Sequence, residues 1–273
     1  TLPAEELRHV FVLAEGLHVN GSALIEGLVQ TLPPSVGVTG GLAGDGTRFK
    51  ETLVMANGPA ETNRVVATGF YGHQLRVGHG SLGGWDPFGP ERLITRSKNN
   101  VLFELDGRSA LALYKNYLGE HAQDLPASAL LFPLCVRPPD TRDWLVRTVL
   151  AINENERSMT FAGDVPEGHI ARLMRANFDR LIDGAMAAAD SGKNRLGVEP
   201  GLALLISCVG RKMVLKHRTV EEVEGVRTVL GPRVPAAGFY SYGEISPLKP
   251  QGRCELHNQT MTITTFAETD GRA

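Results

Sequence analysis

Polar and aromatic residues gather in one short segment near the end of the chain, AAGFYSYGEISP (residues 236–247). The residues there that could take part in chemistry are Gly238, Tyr240, Ser241, Gly243 and Glu244. The serine invites comparison with the nucleophile elbow G-x-S-x-G, yet two residues separate Gly238 from Ser241, and Pro247 and Pro250 stand where the elbow requires a helix. The segment therefore predicts a ligand-holding loop, because glycines allow close backbone approach and Glu244 can accept from an amine.

A second glycine-rich segment, GGLAGDG (residues 40–46), resembles a phosphate-binding turn. It contributes Gly40, Gly41, Gly44 and Asp45 to the candidate site. It lacks the Lys-Ser/Thr pair of a P-loop, and the residues after it predict a strand, so no helix N-terminus is expected for a pyrophosphate. Glycine N–H groups can still bind an anion, and Asp45 can accept from an amine. Both segments favour a small-molecule pocket, with aromatic walls from Trp85, Phe239, Tyr240 and Tyr242.

Cys208 and Arg211 lie three residues apart at the end of a predicted buried strand, in ISCVGRK. Arg211 can hold a carboxylate through two parallel hydrogen bonds, and a neighbouring cation makes a thiolate more available. Two interpretations of Cys208 stay open. It is either a nucleophile, which His217 or His257 would have to approach in space, or a small core residue.

The segment LHNQTMTI places Asn258 and Thr260 at the entry to a predicted closing strand, residues 255–266. Alternation along a strand would send His257 and Gln259 to one face and Asn258 and Thr260 to the other. One of these pairs is then expected to reach the pocket.

The eight histidines show no HxxxH or HxH spacing, so the sequence gives little support for a zinc site. A haem needs only one axial ligand in an apolar pocket. His79, in the glycine-rich VGHGSLGGW, is the candidate for that ligand, and a solvated loop histidine is the other interpretation.

Composition limits the class of protein. The chain has 273 residues, enough for one large domain or two ordinary ones, and a net charge of −2, which argues against a general nucleic-acid binder. No apolar run is long enough for a membrane span, and the chain opens without a signal peptide. Three widely spaced cysteines, Cys135, Cys208 and Cys254, predict a reducing, cytoplasmic location.

The elements that must position these residues occur in one arrangement twice. A strand (10–15), a helix (21–32), a proline and a strand (36–39) lead into GGLAGDG. A strand (202–208), a helix (219–230), Pro232 and a strand (234–237) lead into GFYSYGEI. Such βαβ units favour parallel pairing and place their loops beyond the carboxyl ends of strands, where ligands bind. The sequence therefore predicts an α/β (mixed α+β) fold of two pseudo-symmetric halves, each a mixed sheet with antiparallel additions and helices packed outside.

Local patterns predict further elements. Ser109 is expected to cap a helix, and Thr219 with Glu222 forms a predicted capping box. The acidic run EEVE, residues 221–224, predicts a solvated helix face. Residues 48–58 and 63–80 predict antiparallel strands, and residues 169–192 predict one amphipathic helix ending at Gly192.

These motifs together resemble the FIST family. The resemblance lies in GGLAGDG, GWDPFGPERLITRSKNNVLFELDGRSALALY, ISCVGRK, GFYSYGEISP and HNQTMTI, whose order and spacing match across nearly the whole chain. It implies that residues 1–108 are the later part of a FIST N-terminal domain and residues 109–273 a FIST C-terminal domain, with the earlier N-terminal part missing. The matching family positions are Gly40, Gly41, Gly44, Asp45, Cys208, Arg211, Gly238, Gly243, Glu244, Asn258 and Thr260.

The resemblance implies a sensory module of intracellular signal transduction that binds a small ligand, an amino acid or related metabolite. Family members occur alone or beside histidine kinase, cyclic-dinucleotide or chemotaxis modules, so a separate signalling partner such as a histidine kinase or a cyclic-dinucleotide enzyme is expected. One branch binds haem and responds to nitric oxide, which makes a haem-based sensor the first alternative. An enzyme that uses Cys208 as nucleophile is the second; no base is placed beside a nucleophile at a recognisable spacing, which favours binding without turnover.

Overall fold

A computed structural model of the chain describes residues 5–247 and 252–269. As far as the chain is described, it divides into two compact units. Unit 1 takes in Thr1–Gly84, Asp179–Leu256 and Thr260–Ala273, and unit 2 takes in Trp85–Phe178 and His257–Gln259.

The elements are numbered in chain order. The strands are β1 (Leu7–Ala14), β2 (Gly37–Leu42), β3 (Val65–Tyr71), β4 (Leu75–Leu82), β5 (Asp86–Lys98), β6 (Val101–Leu105), β7 (Arg108–Ser109), β8 (Leu134–Arg137), β9 (Leu145–Arg147), β10 (Val149–Asn153), β11 (Ser158–Phe161), β12 (Ile170–Arg175), β13 (Leu202–Cys208), β14 (Ala236–Ser241), β15 (Gly243–Pro247), β16 (Cys254–His257) and β17 (Met261–Glu268). The α-helices are α1 (Gly21–Thr31), α2 (Ala110–Leu118), α3 (Phe178–Leu196), α4 (Val209–Leu215) and α5 (Thr219–Leu230). Short 3-10 helices cover Gly119–Asp124, Ala127–Leu131 and Lys216–Arg218.

The first βαβ arrangement forms as predicted and belongs to a five-stranded sheet of unit 1, counted over the described residues, with the order β16-β15-β2-β1-β3. β1 and β2 run parallel, with His9 beside Gly37 and Leu13 beside Gly41, whereas β3 is antiparallel to β1. The Asn20 side chain accepts from Ala23 N and caps α1. The helix packs its apolar face on the sheet, with Ile25 in one core with Val10, Val12 and Val38.

The second arrangement belongs to a four-stranded sheet of unit 1 with the order β14-β13-β17-β4 among the described strands. β13 and β14 run parallel, and Cys208 lies beside Ser241 at their carboxyl ends. β17 is antiparallel to both β13 and β4. Alanines of α3 and the apolar residues Val226 and Leu230 of α5 pack against Leu205 and Ile263.

The two sheets of unit 1 meet along a layer with many small and polar side chains. The Thr264 hydroxyl of β17 lies 2.8 Å from that of Thr39 in β2, which lies 2.8 Å from His9 Nε2 in β1. The Phe266 ring contacts His9 edge-on at 5.9 Å between ring centroids. Buried hydroxyl groups persist here because they pair with one another across the layer.

Unit 2 is an antiparallel sheet that, within the described ranges, has eight strands in the order β10-β11-β6-β5-β12-β8-β9, with β7 beside β6. α2 covers it, starting at the predicted cap Ser109, whose hydroxyl accepts from Ala112 N. Leu111, Tyr114 and Leu118 of this helix lie in the core of the unit.

The mixed α/β class with two βαβ units is confirmed, and the compact units have different limits from the predicted family domains. The chain passes from unit 1 to unit 2 after Gly84 and returns to unit 1 after Phe178. The predicted boundary between residues 108 and 109 falls inside β7, which pairs with β6 in the sheet of unit 2.

Several predicted elements are wrong. Residues 170–175 form β12 because they pair with β5 and β8, so the helix begins only at Phe178, and it runs past Gly192 to Leu196. Residues 48–58 hold only the isolated bridge between Val54 and Glu61.

The predicted capping box is also wrong. Thr219 is the first residue of α5, and its hydroxyl donates to Lys216 O at 2.6 Å. Glu222 points into the core, where it is fully buried.

The predicted loops near the end of the chain are mostly strand. GFYSYGEI is β14 and β15, which join at Tyr242, so the chain passes there from the four-stranded to the five-stranded sheet. The predicted closing strand is two strands, β16 and β17, separated by residues 258–260, so the alternation assumed for those residues does not apply. Pro250 lies outside the described residues.

Candidate functional site

A buried carboxyl group, Glu244, is the centre of the candidate site in unit 1. Its Oε1 lies 2.5 Å from Ser241 Oγ, and its Oε2 accepts from the backbone N of Thr260 at 3.2 Å and from the Thr260 hydroxyl at 2.9 Å. Glu244 and Ser241 have no exposed surface, and Thr260 is 6% exposed. Residues from β14, β15 and the segment just before β17 therefore converge on one carboxyl group. Ser241, Glu244 and Thr260 are three of the candidate residues named from the sequence.

The hydrogen bonds around Glu244 fit its protonated form. Ser241 Oγ also lies within hydrogen-bonding reach of Ser207 O, at 3.2 Å. A hydroxyl has one proton to donate, so when Ser241 donates to Ser207 O, the carboxyl proton of Glu244 completes the short contact. Burial raises the pKa of Glu244 to about 8, against the lowering effect of its hydrogen bonds with Ser241 and Thr260.

Cys208 adjoins this cluster. Its backbone N donates to Thr260 O at 3.0 Å, and the residue is 4% exposed at the junction of β13 and α4. The predicted position at the end of a buried strand is correct. Low exposure limits access to the sulfur while the chain has this conformation.

Arg211 is a structural residue in this conformation. Its Nε and Nη2 donate to Glu222 Oε2 at 2.7 and 2.6 Å, Nη2 also donates to Leu181 O at 2.7 Å, and Nη1 donates to Gly83 O. The side chains of Arg211 and Glu222 have no exposed surface, and Ser207 donates to the other oxygen of Glu222 at 2.8 Å. The predicted role of Arg211, holding a ligand carboxylate, is therefore corrected, because protein acceptors already occupy its guanidinium.

Asp45 organises a segment that we call the cap, residues 43–52. Its carboxylate accepts from the backbone N–H groups of Phe49, Lys50 and Glu51 at 2.9–3.2 Å, and from the Tyr242 hydroxyl. The Tyr242 hydrogen bond is the main cause that holds the pKa of Asp45 well below its usual range. Burial opposes it, and the backbone hydrogen bonds lower the pKa further. Asp45 is thus an anchor for the cap rather than an open acceptor for an amine.

The cap lies directly on the strand junction. The Phe49 ring stacks on Tyr242 at 4.7 Å between centroids, although Phe49 remains 46% exposed. A Cβ at Gly44 would lie 2.9 Å from Tyr240 O and 3.2 Å from the Tyr242 ring, so this position requires glycine for the cap to sit so close. At the far end of the cap, Thr52 donates to Glu15, a buried carboxylate that also accepts from Leu17 N and His18 N.

The other predicted glycines have structural roles. Gly40 has φ +150° inside β2, and a Cβ there would lie 1.9 Å from Val12 O. Gly41, Gly238 and Gly243 lie in strands, where Gly41 faces Ile206, Gly238 faces Leu205 and Gly243 faces Leu256. Tyr240 is partly buried, with the Lys212 ammonium 4.8 Å from its ring centroid.

Two predicted residues belong to unit 2. The Trp85 indole donates to Gln259 O at 2.9 Å and is 7% exposed, so Trp85 is a core residue rather than a pocket wall. The Asn258 amide donates to His257 O at 3.0 Å, and its Oδ1 is buried without a hydrogen-bond partner among the described residues.

His79 lies in β4 rather than in a loop, and its Nε2 is buried without a hydrogen-bond partner in the described part of the chain. Burial lowers its pKa to about 4, with a further effect of Arg195. Thr264 lies beside it on β17, and His79 is close enough to His9 to lower the pKa of that residue further. A haem needs an open apolar slot against its axial nitrogen, and this polar, filled layer does not fit one.

Sequence reasoning missed Glu222, Ser207 and Phe49. Glu222 was interpreted as part of a solvated face, and only its position against Arg211 in space shows otherwise. Phe49 has a positive φ of 50°, which no sequence pattern indicated.

The described ranges also bear on two other kinds of site. None of the helices there is both long and apolar enough to span a bilayer. No three His, Cys, Asp or Glu side chains within residues 5–247 and 252–269 come together as a metal site.

Comparison with known proteins adds the family. The FIST N domain profile matches residues 2–108, and the FIST C domain profile matches residues 110–247. The chain is similar to an uncharacterized protein of Mycobacterium tuberculosis (strain ATCC 25618 / H37Rv), with 26% identity over 262 residues, which is 90% of this chain and 64% of the relative. It is also similar to an uncharacterized protein of Mycobacterium bovis (strain ATCC BAA-935 / AF2122/97), with 24% identity over 247 residues, covering 86% of this chain and 61% of the relative.

The chain thus spans less than two thirds of the length of these relatives. FIST domains are a sensory domain family. Because the two profiles together match most of its length, the chain belongs to the FIST family.

Proposed function

We propose that unit 1 is a sensory module that binds a small ligand beside the Glu244 cluster, beneath the cap. The observation that carries this proposal is the convergence of Asp45, Cys208, Glu244 and Thr260, which lie far apart in sequence, on one strand junction. The junction also joins the carboxyl ends of β13 and β14, a location where α/β proteins commonly bind ligands.

The cap supplies a means of ligand entry. It rests on Tyr242 through one aromatic stack and the hydrogen bonds of Asp45, and its Phe49 is about half exposed. Most of these contacts lie within the cap or join it to the Tyr242 side chain, so they can break without disturbing the strand pairing of the sheets beneath it. Opening exposes Tyr242 and the strand junction beside Glu244, and a ligand that binds there favours one state of the cap.

The chemistry of the cluster suits a ligand with a hydrogen-bonding amine or hydroxyl group. Glu244 offers a carboxyl group that can accept as an anion or donate when protonated, and the hydroxyl groups of Ser241 and Thr260 can do both. We therefore assign an amino acid or a related metabolite as the ligand class. The signal passes to a separate partner, such as a histidine kinase or a cyclic-dinucleotide enzyme.

A thermal-shift screen against amino acids and related metabolites tests the proposal. A ligand at 100 times its Kd stabilises the folded state by about 2.7 kcal/mol, which raises the Tm of a domain of this size by roughly 5–10 °C. Glu244→Gln keeps the shape but replaces the carboxyl group with an amide, which has no acidic proton to donate and cannot become an anionic acceptor. We therefore expect roughly ten-fold weaker binding and about half of the Tm increase. Glu104→Gln, on the surface of unit 2, is the matched control and should keep the full increase. A panel in which no compound raises the Tm, or one whose effect is equal in Glu244→Gln, would overturn the proposal.

A further inference from the structure

β3 is an edge strand of the five-stranded sheet and has β1 as its one neighbour among the described strands. Its sequence, VVATGFY, contains no charge and no proline. Edge strands usually carry lysine, proline or inward-pointing charges that prevent pairing with another chain. β3 lacks these devices over all seven residues.

The backbone direction of β3 follows from two hydrogen bonds at its ends. The carbonyl of Arg64 accepts from Glu15 N at 2.9 Å, and Gly72 N donates to Glu6 O at 3.1 Å, so residues 64 and 72 both face the β1 side. The N–H and C=O groups of successive residues point to opposite sides of an antiparallel strand. The register irregularity lies in β1, between Leu7 and His9, so it does not interrupt this alternation along β3. The N–H and C=O groups that face away from β1 are those of Val65, Ala67, Gly69 and Tyr71.

These four residues form a self-complementary set. In an antiparallel pair of two β3 strands related by a two-fold axis at Thr68, Val65 lies opposite Tyr71 of the second copy, and Ala67 lies opposite Gly69. Each outward N–H then meets an outward C=O, because the opposed residues are the ones that exchange two hydrogen bonds.

The same register also pairs the exposed apolar side chains of the strand. Val65 is 42% exposed and Tyr71 is 38% exposed. The two-fold symmetry places Val65 of each copy opposite Tyr71 of the other copy, so the contact occurs twice. Pairs of an aromatic and a β-branched residue across strands are favourable. An isologous contact of this kind closes on itself and forms a dimer rather than a fibre.

We propose that β3 pairs antiparallel with β3 of a second copy of this chain, with the two-fold axis at Thr68. The pairing joins the two five-stranded sheets into one continuous sheet. A second copy suits this edge because β3 itself contains both residues of each opposed pair, Val65 with Tyr71 and Ala67 with Gly69.

A disulfide cross-link tests the register directly. Thr68 would face Thr68 of the second copy in a non-hydrogen-bonded pair, in which Cα atoms are about 4.5 Å apart, within disulfide range. Under mild oxidation, Thr68→Cys should form a covalent dimer. Val65→Cys is the control, since it is equally accessible but about 20 Å from its own copy at roughly 3.3 Å per residue. The three native cysteines are 2–6% exposed and should not interfere.

A backbone substitution tests the dimer itself. Ala67→Pro removes an N–H that faces away from β1, so the sheet should still form while the second copy loses its hydrogen bond. Ala67→Val keeps that N–H. By sedimentation velocity, the wild type and Ala67→Val should have about twice the chain mass of 29.5 kDa, and Ala67→Pro about that mass. A monomeric wild type, a dimer that survives Ala67→Pro with its circular dichroism unchanged, or equal cross-linking of the two cysteine variants would overturn the proposal.

Discussion

Removal of Arg211 should destabilise unit 1 severely, because it leaves the Glu222 carboxylate buried without a counter-ion. Both side chains have no exposed surface, and Arg211 also donates to Gly83 O and Leu181 O. Breaking a buried ion pair from one side costs about 3–5 kcal/mol. That loss is a large share of the roughly 5–15 kcal/mol by which domains are stable.

Urea denaturation of Arg211→Ala is the assay, followed by far-UV circular dichroism. Both tryptophans, Trp85 and Trp144, lie in unit 2, so their fluorescence does not report directly on unit 1. With an m value of about 2 kcal/mol/M, the expected loss moves the midpoint by roughly 2 M urea. Arg96→Ala is the control, since Arg96 and Glu104 form a surface pair with 55% and 33% exposed side chains, worth about 0–1 kcal/mol.

A double variant separates the unpaired charge from lost packing. Arg211→Met combined with Glu222→Leu removes both charges, so it should be more stable than Arg211→Met alone. If Arg211→Ala costs no more than Arg96→Ala, the structural assignment of Arg211 is refuted, and its role as a ligand contact returns.

The remaining predictions concern Glu244, the cap and Cys208. Burial raises the pKa of Glu244 from 4.5 to about 8, so between these pH values the folded chain keeps a proton that the unfolded chain releases. The stability that the protonated Glu244 contributes is therefore complete below pH 4.5 and is lost as the pH rises to about 8. Urea midpoints measured across that range should fall with pH more steeply for wild type than for Glu244→Gln, and parallel profiles would contradict the buried acid. Asp45→Ala removes a charged acceptor of several backbone hydrogen bonds of the cap, so trypsin should cleave after Arg48 or Lys50 at least about ten-fold faster. The control Asp140→Ala, at an exposed position of unit 2, should leave the rate unchanged. Equal cleavage rates would mean that Asp45 does not hold the cap. Cys208 should be alkylated more slowly than a free thiol near pH 7, because it is buried, and faster alkylation would favour the nucleophile hypothesis.

Local signals predicted the elements whose caps and periodicity agree. Asn20 and Ser109 cap helices as expected, and the two βαβ units form where strand, helix and proline follow one another. A strand that forms by pairing with residues distant in sequence is harder to predict. Residues 170–175 have helical spacing but pair with β5 and β8, and no local signal reports those partners.

The candidate site shows the same contrast between local motifs, which the sequence reveals, and contacts between distant residues, which it does not. Ser241, Glu244 and Thr260 were identified from their motifs and meet in the structure. The partner of Arg211 was missed because Glu222 lies in an acidic helical run that is typical of a solvated face. Trp85, predicted as a pocket wall, is instead held by Gln259 O, a contact across 174 residues of sequence.

The central claim is that a small ligand binds beneath the cap, beside Glu244. Hydrogen exchange measured with and without a compound selected in the thermal-shift screen tests this claim most directly. Amide exchange reports the opening of local segments, so a ligand beneath the cap should slow it there. We predict slower exchange in residues 43–52 and 240–244, and a smaller protection in Glu244→Gln at the same ligand concentration. Protection confined to unit 2, or a change in Tm without slower exchange in either segment, would contradict it.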